Sequence, residues 1–299
     1  MPWEGVNHLD HDKILTLEEI ARLARIGAQI GIHKIRLTGG EPLVRKNLLQ
    51  LVHYISEIPG IDDIAITTNG NLFSKHAVDY QQAGLNRVNF SLDTLQEERY
   101  RSITRQGDLK IVKGAIFKAL ELDMQPVKIN TVVIKGFNDD EVLDFANLAY
   151  YYPFHVRFIE FMPIGDLDFW QEERVCTMDK IKKRIELEYD LEAAPQIRGN
   201  GPARSFKIKG GLGSLGFISP MSNHFCGLCN RLRLTADGKL RVCLHGKMEL
   251  DLKEPMRTGA SDEELTELFV RGIEAKPLQH HMNQGWGDQN QRKMFQIGG

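Results

Sequence analysis

Apolar residues at Leu17, Ile20, Leu23, Ile26 and Ile30 recur at helical spacing, with Thr16 and Glu19 just ahead of them in the spacing of a capping box. This stripe predicts the first helix, behind polar, irregular residues 1–14. The period then changes. KIRLT (34–38) reads as a short strand, broken by Gly39-Gly40-Glu41-Pro42. A helix is expected over about 47–57, and the strand from Ile64 to Thr68 ends at Asn69-Gly70. The alternation continues with a helix near 74–83, a strand over 87–92, helical sequence over 96–123 and a strand from Val127 to Ile134. Asn138 and Glu141 then stand as a cap for another helix, ahead of a strand from Val156 to Phe161. Five strands at a step of roughly thirty residues, each followed by helical sequence, predict a parallel sheet with crossover helices. Several of these strands end in polar residues (Thr38, Thr67, Thr68, Ser91, Glu160), and ligands collect at the carboxyl ends of such strands.

After Pro163 the texture changes. One helix is expected over 178–188, followed by a Gly-rich stretch, IRGNGPARSFKIKGGLGSLGFISP, that alternates and turns like an antiparallel hairpin. The run from Gly211 to Gly216 has G-x-G-x-x-G spacing. It leads into strand-like Phe217-Ile218-Ser219-Pro220 and not into a helix, so a hairpin turn explains it better than a dinucleotide site. No phosphate-binding G-x-x-x-x-G-K-[ST] occurs. Beyond it, Ser261 and Glu264 cap a last helix, and a polar tail over 276–299 ends in QIGG. The expected division is one domain over 1–165 and a second over 166–299.

Composition narrows the function classes. With 42% hydrophobic residues, the 299-residue chain can bury a sizeable core. A net charge of −2 argues against nucleic acid as a partner. Four cysteines in this length make no disulfide framework and point to a reduced, cytoplasmic protein. No apolar run approaches the ~18 residues of a membrane span, and the first residues do not read as a signal peptide.

Three of those cysteines fall in FCGLCNRLRLTADGKLRVCL (225–244): Cys226, Cys229 and Cys243. Ala236-Asp237-Gly238 is a turn signal, so the third thiol returns across a hairpin to the other two. That is a soft metal site, with Arg231 and Arg233 beside it as anion partners. Zinc, with His224 or His245 as fourth ligand, and an iron–sulfur cluster on three thiolates both fit the spacing, and the local sequence alone favours zinc, because short C-x2-C turns are common in zinc sites. Arg36, Lys128 and Arg157 lie within strands, where a cation is awkward unless it faces a polar cavity. Glu41, at a strand end beside two glycines, could receive a ligand's ammonium. Cys176 reads as structural, and His280-His281 lack the neighbours of a metal site.

The motifs KIRLTGGEPLVRK (34–46), ITTNG (66–70), NRVNFSLDTL (86–95), VKINTVVIKGFNDDE (127–141), RFIEFMPIG (157–165), the cysteine stretch and the terminal QIGG span nearly the whole chain. On them the chain resembles the GTP 3′,8-cyclase family of radical S-adenosylmethionine enzymes. The resemblance implies an α/β fold: a partial TIM-type (βα) barrel over 1–165, and a smaller α+β molybdenum cofactor synthesis domain over 166–299. It implies a 4Fe–4S cluster on Cys226, Cys229 and Cys243, whose open iron meets guanine. It places S-adenosylmethionine against Gly40, Ser91 and Met162, and GTP against Arg36, Thr67, Lys128, Arg231, Leu232 and Arg233. It assigns no single catalytic side chain.

The implied reaction is radical formation, hydrogen abstraction at the ribose C3′ and attack of that carbon on guanine C8. The product, (8S)-3′,8-cyclo-7,8-dihydroguanosine 5′-triphosphate, passes to cyclic pyranopterin monophosphate synthase; the resemblance further implies a homodimer. One departure stands out. The family's N-terminal cluster sits on C-x3-C-x2-C after the first barrel strand, directly before a Met-Pro-like pair, and this chain begins Met1-Pro2. The expectation is a barrel lacking its first strand and that cluster, inactive as it stands. The alternatives are a non-catalytic GTP-binding iron–sulfur protein or a zinc-stabilised module.

Overall fold

The structure is a computed structural model that describes residues 10–105, 107–164, 170–194, 201–279 and 292–298. The chain's first residues, the expected division at 165 and His280-His281 lie outside the described residues. In chain order the elements are α1 (Leu17–Gln29), β1 (Lys34–Leu37), α2 (Leu48–Ser56), β2 (Asp63–Thr68), α3 (Phe73–Gln82), β3 (Arg87–Ser91), α4 (Glu97–Thr104) and α5 (Leu109–Glu121). There follow β4 (Lys128–Val133), α6 (Val142–Tyr151), β5 (His155–Glu160), α7 (Met178–Glu186), β6 (Leu191–Ala193), β7 (Arg204–Ile208) and β8 (Ser214–Ile218). Last come β9 (Arg233–Leu234), β10 (Lys239–Arg241), β11 (Glu249–Asp251), α8 (Lys253–Arg257), α9 (Asp262–Glu274) and α10 (Met294–Ile297).

Eight strands form one sheet in the order β1-β2-β3-β4-β5-β8-β7-β6. It is parallel from β1 through β8, and β7 and β6 add on antiparallel. The Gly-rich hairpin therefore joins the same sheet as the βα units. Its turn contains Gly213, where a Cβ would come within 2.2 Å of the Phe154 carbonyl oxygen, so only glycine lets β8 approach the end of α6.

The two faces of the sheet differ in chemistry, because successive side chains point to opposite sides. Ile64, Ile66, Val88, Phe90, Ile129, Val156, Phe158, Leu215 and Phe217 pack into the main core beneath the helices. The alternate positions are polar. Register aligns Thr67, Asn89, Lys128, His155 and Ser214 in one row across five strands. A second row holds Ser91, Asn130, Arg157 and Gly216. A parallel sheet usually buries apolar side chains on both faces; a face this polar lines a concave interior. That is the partial-barrel arrangement, with a smaller three-stranded sheet, β11-β10-β9, beside it.

A second core joins the start of the chain to the smaller sheet. Leu15, Leu23 and Ile26 pack with Leu240, Leu252, Met256, Leu265 and Phe269. The Thr16–Glu19 capping box forms: Thr16 Oγ1 accepts from the Glu19 amide at 3.2 Å, and Glu19 accepts from the Thr16 amide at 2.8 Å. Such a cap contributes about 1 kcal/mol. Ser261 and Glu264 form the same motif on α9, and Arg22 on α1 pairs with Asp262 at 2.7 Å.

The helical segments expected over 96–123 are α4 and α5, divided where Arg105 takes φ +66° and Asp108 starts α5 by accepting from the Lys110 amide at 2.8 Å. One local expectation is corrected: Asn138 and Glu141 do not cap a helix. The Asn138 amide bonds Ile134, Asp93 and Val132, while Glu141 accepts from Thr94 Oγ1 and the Leu95 amide and pairs with Arg99. Glu141 is taken by distant partners and Asn138 by Asp93 and the end of β4, because both side chains are almost completely buried, where a local cap would leave those groups unpaired.

Candidate active site

The inner face gathers cations. Arg36 comes from β1, Lys128 from β4, Arg157 from β5, and Arg231 and Arg233 from the cysteine hairpin. Arg157 is depressed to about 9 by burial and by the charges of Arg36, Arg87 and Arg231. Lys128 is pushed down to about 6 by burial, then by Arg157 and Arg87, with Asp63 opposing. Burial and then Arg231 and Arg36 hold Arg233 down to about 9. Enclosure by protein, then Arg231 and Arg87, lowers Arg36 to about 10. The side chain of Arg36 is nevertheless open to water in the interior, so burial weighs less there than at Lys128 or Arg157. Arg87 sits among them, neutralised by a bidentate pair with Asp63 at 2.7 and 2.6 Å.

Neutral polar groups complete this wall. Arg157 donates to Asn89 Oδ1 at 3.0 Å, and its Nε has no partner, nor does Asn130 Oδ1. His155 shares a hydrogen bond with Ser214 at 2.9 Å and stays neutral, pushed down to about 2 by burial, Arg157 and Lys128. Thr67 Oγ1 accepts from Asn89 Nδ2 at 3.4 Å. Arg157 is the cavity candidate to which the family resemblance assigns no ligand. Asn89 and Asn130 gave no signal of their own, although their place in alternating strands could have found them.

The cysteine hairpin closes one side of this interior. Cys226 and Cys229 share a single turn, with the Cys229 amide donating to the Cys226 carbonyl at 3.0 Å. Gly238 forms the turn between β9 and β10 at φ +81°, where a Cβ would meet Lys253 Cβ at 2.4 Å. Burial alone would raise the Cys229 thiol, but the charge and hydrogen bonds of Arg231 outweigh it and hold the thiol below its usual range. Among the described residues no three His, Cys, Asp or Glu side chains gather closely enough to hold one metal ion. Arg231 lies over the Phe225 ring at 5.3 Å. Leu232 differs from its neighbours: its side chain packs against the second core and does not join the cations. Lys276 bonds the Arg231 carbonyl at 2.9 Å and so secures the hairpin. Arg233 Nε reaches the Gly298 carbonyl at 3.4 Å, and a Cβ on Gly298 would lie 2.7 Å from Thr38 Cγ2, so the chain's end rests between β1 and β9.

Gly40, Ser91 and Met162 follow or end β1, β3 and β5, all at the carboxyl edge of the sheet. Glu41 has another role from the one its sequence suggested. Its carboxylate accepts from Thr68 Oγ1 at 2.8 Å, the Asn69 amide at 2.7 Å and the Leu43 amide at 3.0 Å, which ties the end of β1 to the end of β2. Cys176 packs against the main core, with its thiol pushed up by burial.

Comparison with known proteins gives two family matches: Radical SAM superfamily over residues 5–149 and Molybdenum Cofactor Synthesis C over residues 154–282. A GTP 3′,8-cyclase of Syntrophomonas wolfei is 62% identical over 299 residues, covering 100% of this chain and 92% of the relative. A GTP 3′,8-cyclase of Moorella thermoacetica is 53% identical, and one of Heliobacterium modesticaldum 51%, with the same coverage.

Proposed function

The chain belongs to the GTP 3′,8-cyclase family of radical S-adenosylmethionine enzymes, and from that premise we propose that its inner face binds GTP for 3′,8-cyclisation, the first step of molybdenum cofactor biosynthesis. The observation that carries the reading is the concentration of positive charge in the interior. Burial and neighbouring cations lower the pKa of Arg36, Lys128, Arg157 and Arg233, with the charge of Arg231 acting on all three arginines, and Asp63, a carboxylate near Lys128, is itself paired with Arg87. Cations held together against their own repulsion are preorganised for a polyanion, and a triphosphate supplies the charge and the bidentate acceptors that arginine prefers. Arg36, Lys128 and Arg157 hold the phosphates from the sheet, Arg231 and Arg233 reach in from the hairpin, and Thr67 bounds the site. Leu232 contributes backbone.

Cys226, Cys229 and Cys243 would hold a 4Fe–4S cluster. The thiolate-favouring setting of Cys229, in one turn with Cys226, suits a soft metal centre. When bound, such a cluster would supply Lewis-acid chemistry toward the guanine base, and Gly40, Ser91 and Met162 would hold S-adenosylmethionine, the family's radical source. The chain's own contribution is position: the fixed cations and strand ends hold the ribose within reach of both.

None of the four cysteines stands in C-x3-C-x2-C spacing, so these 299 residues alone are expected to bind GTP without releasing 5′-deoxyadenosine. We read 1–165 as the radical domain and 166–299 as the molybdenum cofactor synthesis domain of a cytoplasmic homodimer that acts ahead of cyclic pyranopterin monophosphate synthase. Among the described residues no helix is long and apolar enough to cross a membrane.

After anaerobic reconstitution, about three to four irons per chain and calorimetric GTP binding are expected. One zinc and no GTP binding would overturn the reading in favour of a structural module.

The lowered pKa of Lys128 gives a second test. Unfolded, a lysine keeps its proton to about 10.4; folded and empty, Lys128 gives it up above about 6. Between these values the unfolded chain binds more protons, so this residue makes stability rise with pH. A bound triphosphate recharges the amine. GTP binding at pH 8 is therefore expected to take up close to one proton, with Kd weakening by up to about tenfold per pH unit above 6. Binding heats that do not change between buffers of different ionisation enthalpy would remove Lys128 from this role.

A further inference from the structure

The polar face of the barrel and the cysteine hairpin belong to different sheets, and one carboxylate connects them. Glu160 ends β5 on the face away from the cations and is fully buried. No cationic side chain pairs with it among the described residues. Instead its Oε2 accepts from the Met221 amide at 2.9 Å and the Ser222 amide at 3.0 Å. Its Oε1 accepts from the Met178 amide at 3.1 Å and from Ser222 Oγ. Three amides and a hydroxyl thus stand in for a counter-ion, and Met178 is the first residue of α7, where a helix favours an anion.

The connections are short on both sides. Arg157 lies three residues before Glu160 on the same strand and Met162 two residues after it, while Ser222 precedes Cys226 by four residues. Two consecutive amides, Met221 and Ser222, are fixed by a single oxygen, which sets both the position and the direction of the chain entering the cysteine turn.

We propose that Glu160 is a positioning residue that fixes the Cys226–Cys229 turn against β5, so that the hairpin's metal site and the phosphate-binding cations keep one distance; its link to the cluster rests on the functional reading above. Glutamine is nearly the same size but fails here. Its one oxygen can serve only half of these donors, and its NH2 group faces amide hydrogens.

The test compares Glu160→Gln, and Ser222→Ala as a milder variant that keeps the carboxylate and α7 in place. In both, amides over 219–229 are expected to exchange faster with solvent, by about tenfold in Glu160→Gln, with exchange in β2–β4 unchanged. Reconstituted Glu160→Gln is expected to keep its iron but lose the GTP-dependent change in the reduced cluster's EPR spectrum that is expected of the parent chain, a readout that loosened packing elsewhere does not move. If Glu160→Gln does not fold, Ser222→Ala decides, with the same signs and smaller size. Parental exchange over 219–229 in the folded variants overturns the proposal, and so does a parental EPR response to GTP. A parent chain that takes up no iron defeats the cluster reading instead, and the exchange rates then decide Glu160's role by themselves.

Discussion

Arg157→Met is expected to weaken GTP binding about a hundredfold while leaving the empty protein as stable as before, or more so. Two consequences of the same burial oppose each other. Arg157 is 5% exposed, has one hydrogen bond from its guanidinium to Asn89 and an unpaired Nε, and faces Arg36, Arg87 and Arg231. Replacing a buried charge by an apolar side chain of similar length is often neutral or stabilising by about 1–4 kcal/mol. The lost bond to Asn89 offsets part of that, which leaves a gain of about 1 kcal/mol, or roughly 2 °C in a chain of this size. In the complex the balance reverses. A phosphate in this interior finds a fixed guanidinium already stripped of water, and losing such a charge pair costs about 2–5 kcal/mol of binding. Calorimetry for GTP and thermal unfolding of the empty chain read the two sides separately. A variant that binds GTP like the parent would remove Arg157 from the phosphate site. One that unfolds several degrees earlier would show that the arginine stabilises the empty fold.

The same arginine shows what could be read before the structure. Arg36, Lys128 and Arg157 each stood out as cations in apolar strands, and the βα period, the two capping boxes and the cysteine hairpin were all legible, because each depends on residues close in sequence. The convergence of the cations was not. It depends on register: Asn89 aligns with Lys128 and Asn130 with Arg157 only once the strands are paired, and no local pattern fixes that pairing. Long-range capture explains the misses at Asn138 and Glu141, whose partners Asp93, Thr94 and Leu95 lie more than forty residues earlier. Leu232 stands between two arginines just ahead of β9, and its side chain packs against the second core, a contact that no local pattern announces. Glu41 looked like a ligand group because strand ends attract ligands, but its carboxylate is taken up by the adjoining strand end. Sequence located the chemistry, and the sheet decided which groups point inward.

Arg241 shares two features with Arg157, near-complete burial and an unpaired Nε, yet Arg241→Ala is expected to have the opposite effect on stability, a loss of about 3–5 kcal/mol. The difference lies in its partners. Arg241 faces Glu249 across the antiparallel pair β10–β11 and bonds it through Nη1. Through Nη2 it bonds the Gly246 carbonyl at 2.6 Å and the Leu244 carbonyl at 3.3 Å. These carbonyls belong to the loop that begins at Cys243, so one guanidinium both neutralises a carboxylate and shapes the chain beyond the third thiol. Arg292, which binds Glu249 at 2.6 Å and Asp237 at 2.8 Å, would keep Glu249 from being left alone. It cannot reach round to the loop carbonyls or fill the space left by the side chain. Lysine keeps the charge but lacks the fork that serves three acceptors at once, so Arg241→Lys is expected to recover less than half of the loss. Because Leu240 beside it belongs to the second core, the damage should fall on the smaller sheet and its contact with α1, sparing the βα sheet. Reconstituted Arg241→Ala should therefore hold less than half the parent's iron while keeping most of its parallel-sheet amides protected from exchange. Full iron content and an unchanged unfolding midpoint would show that the Cys243 loop holds its shape without the guanidinium.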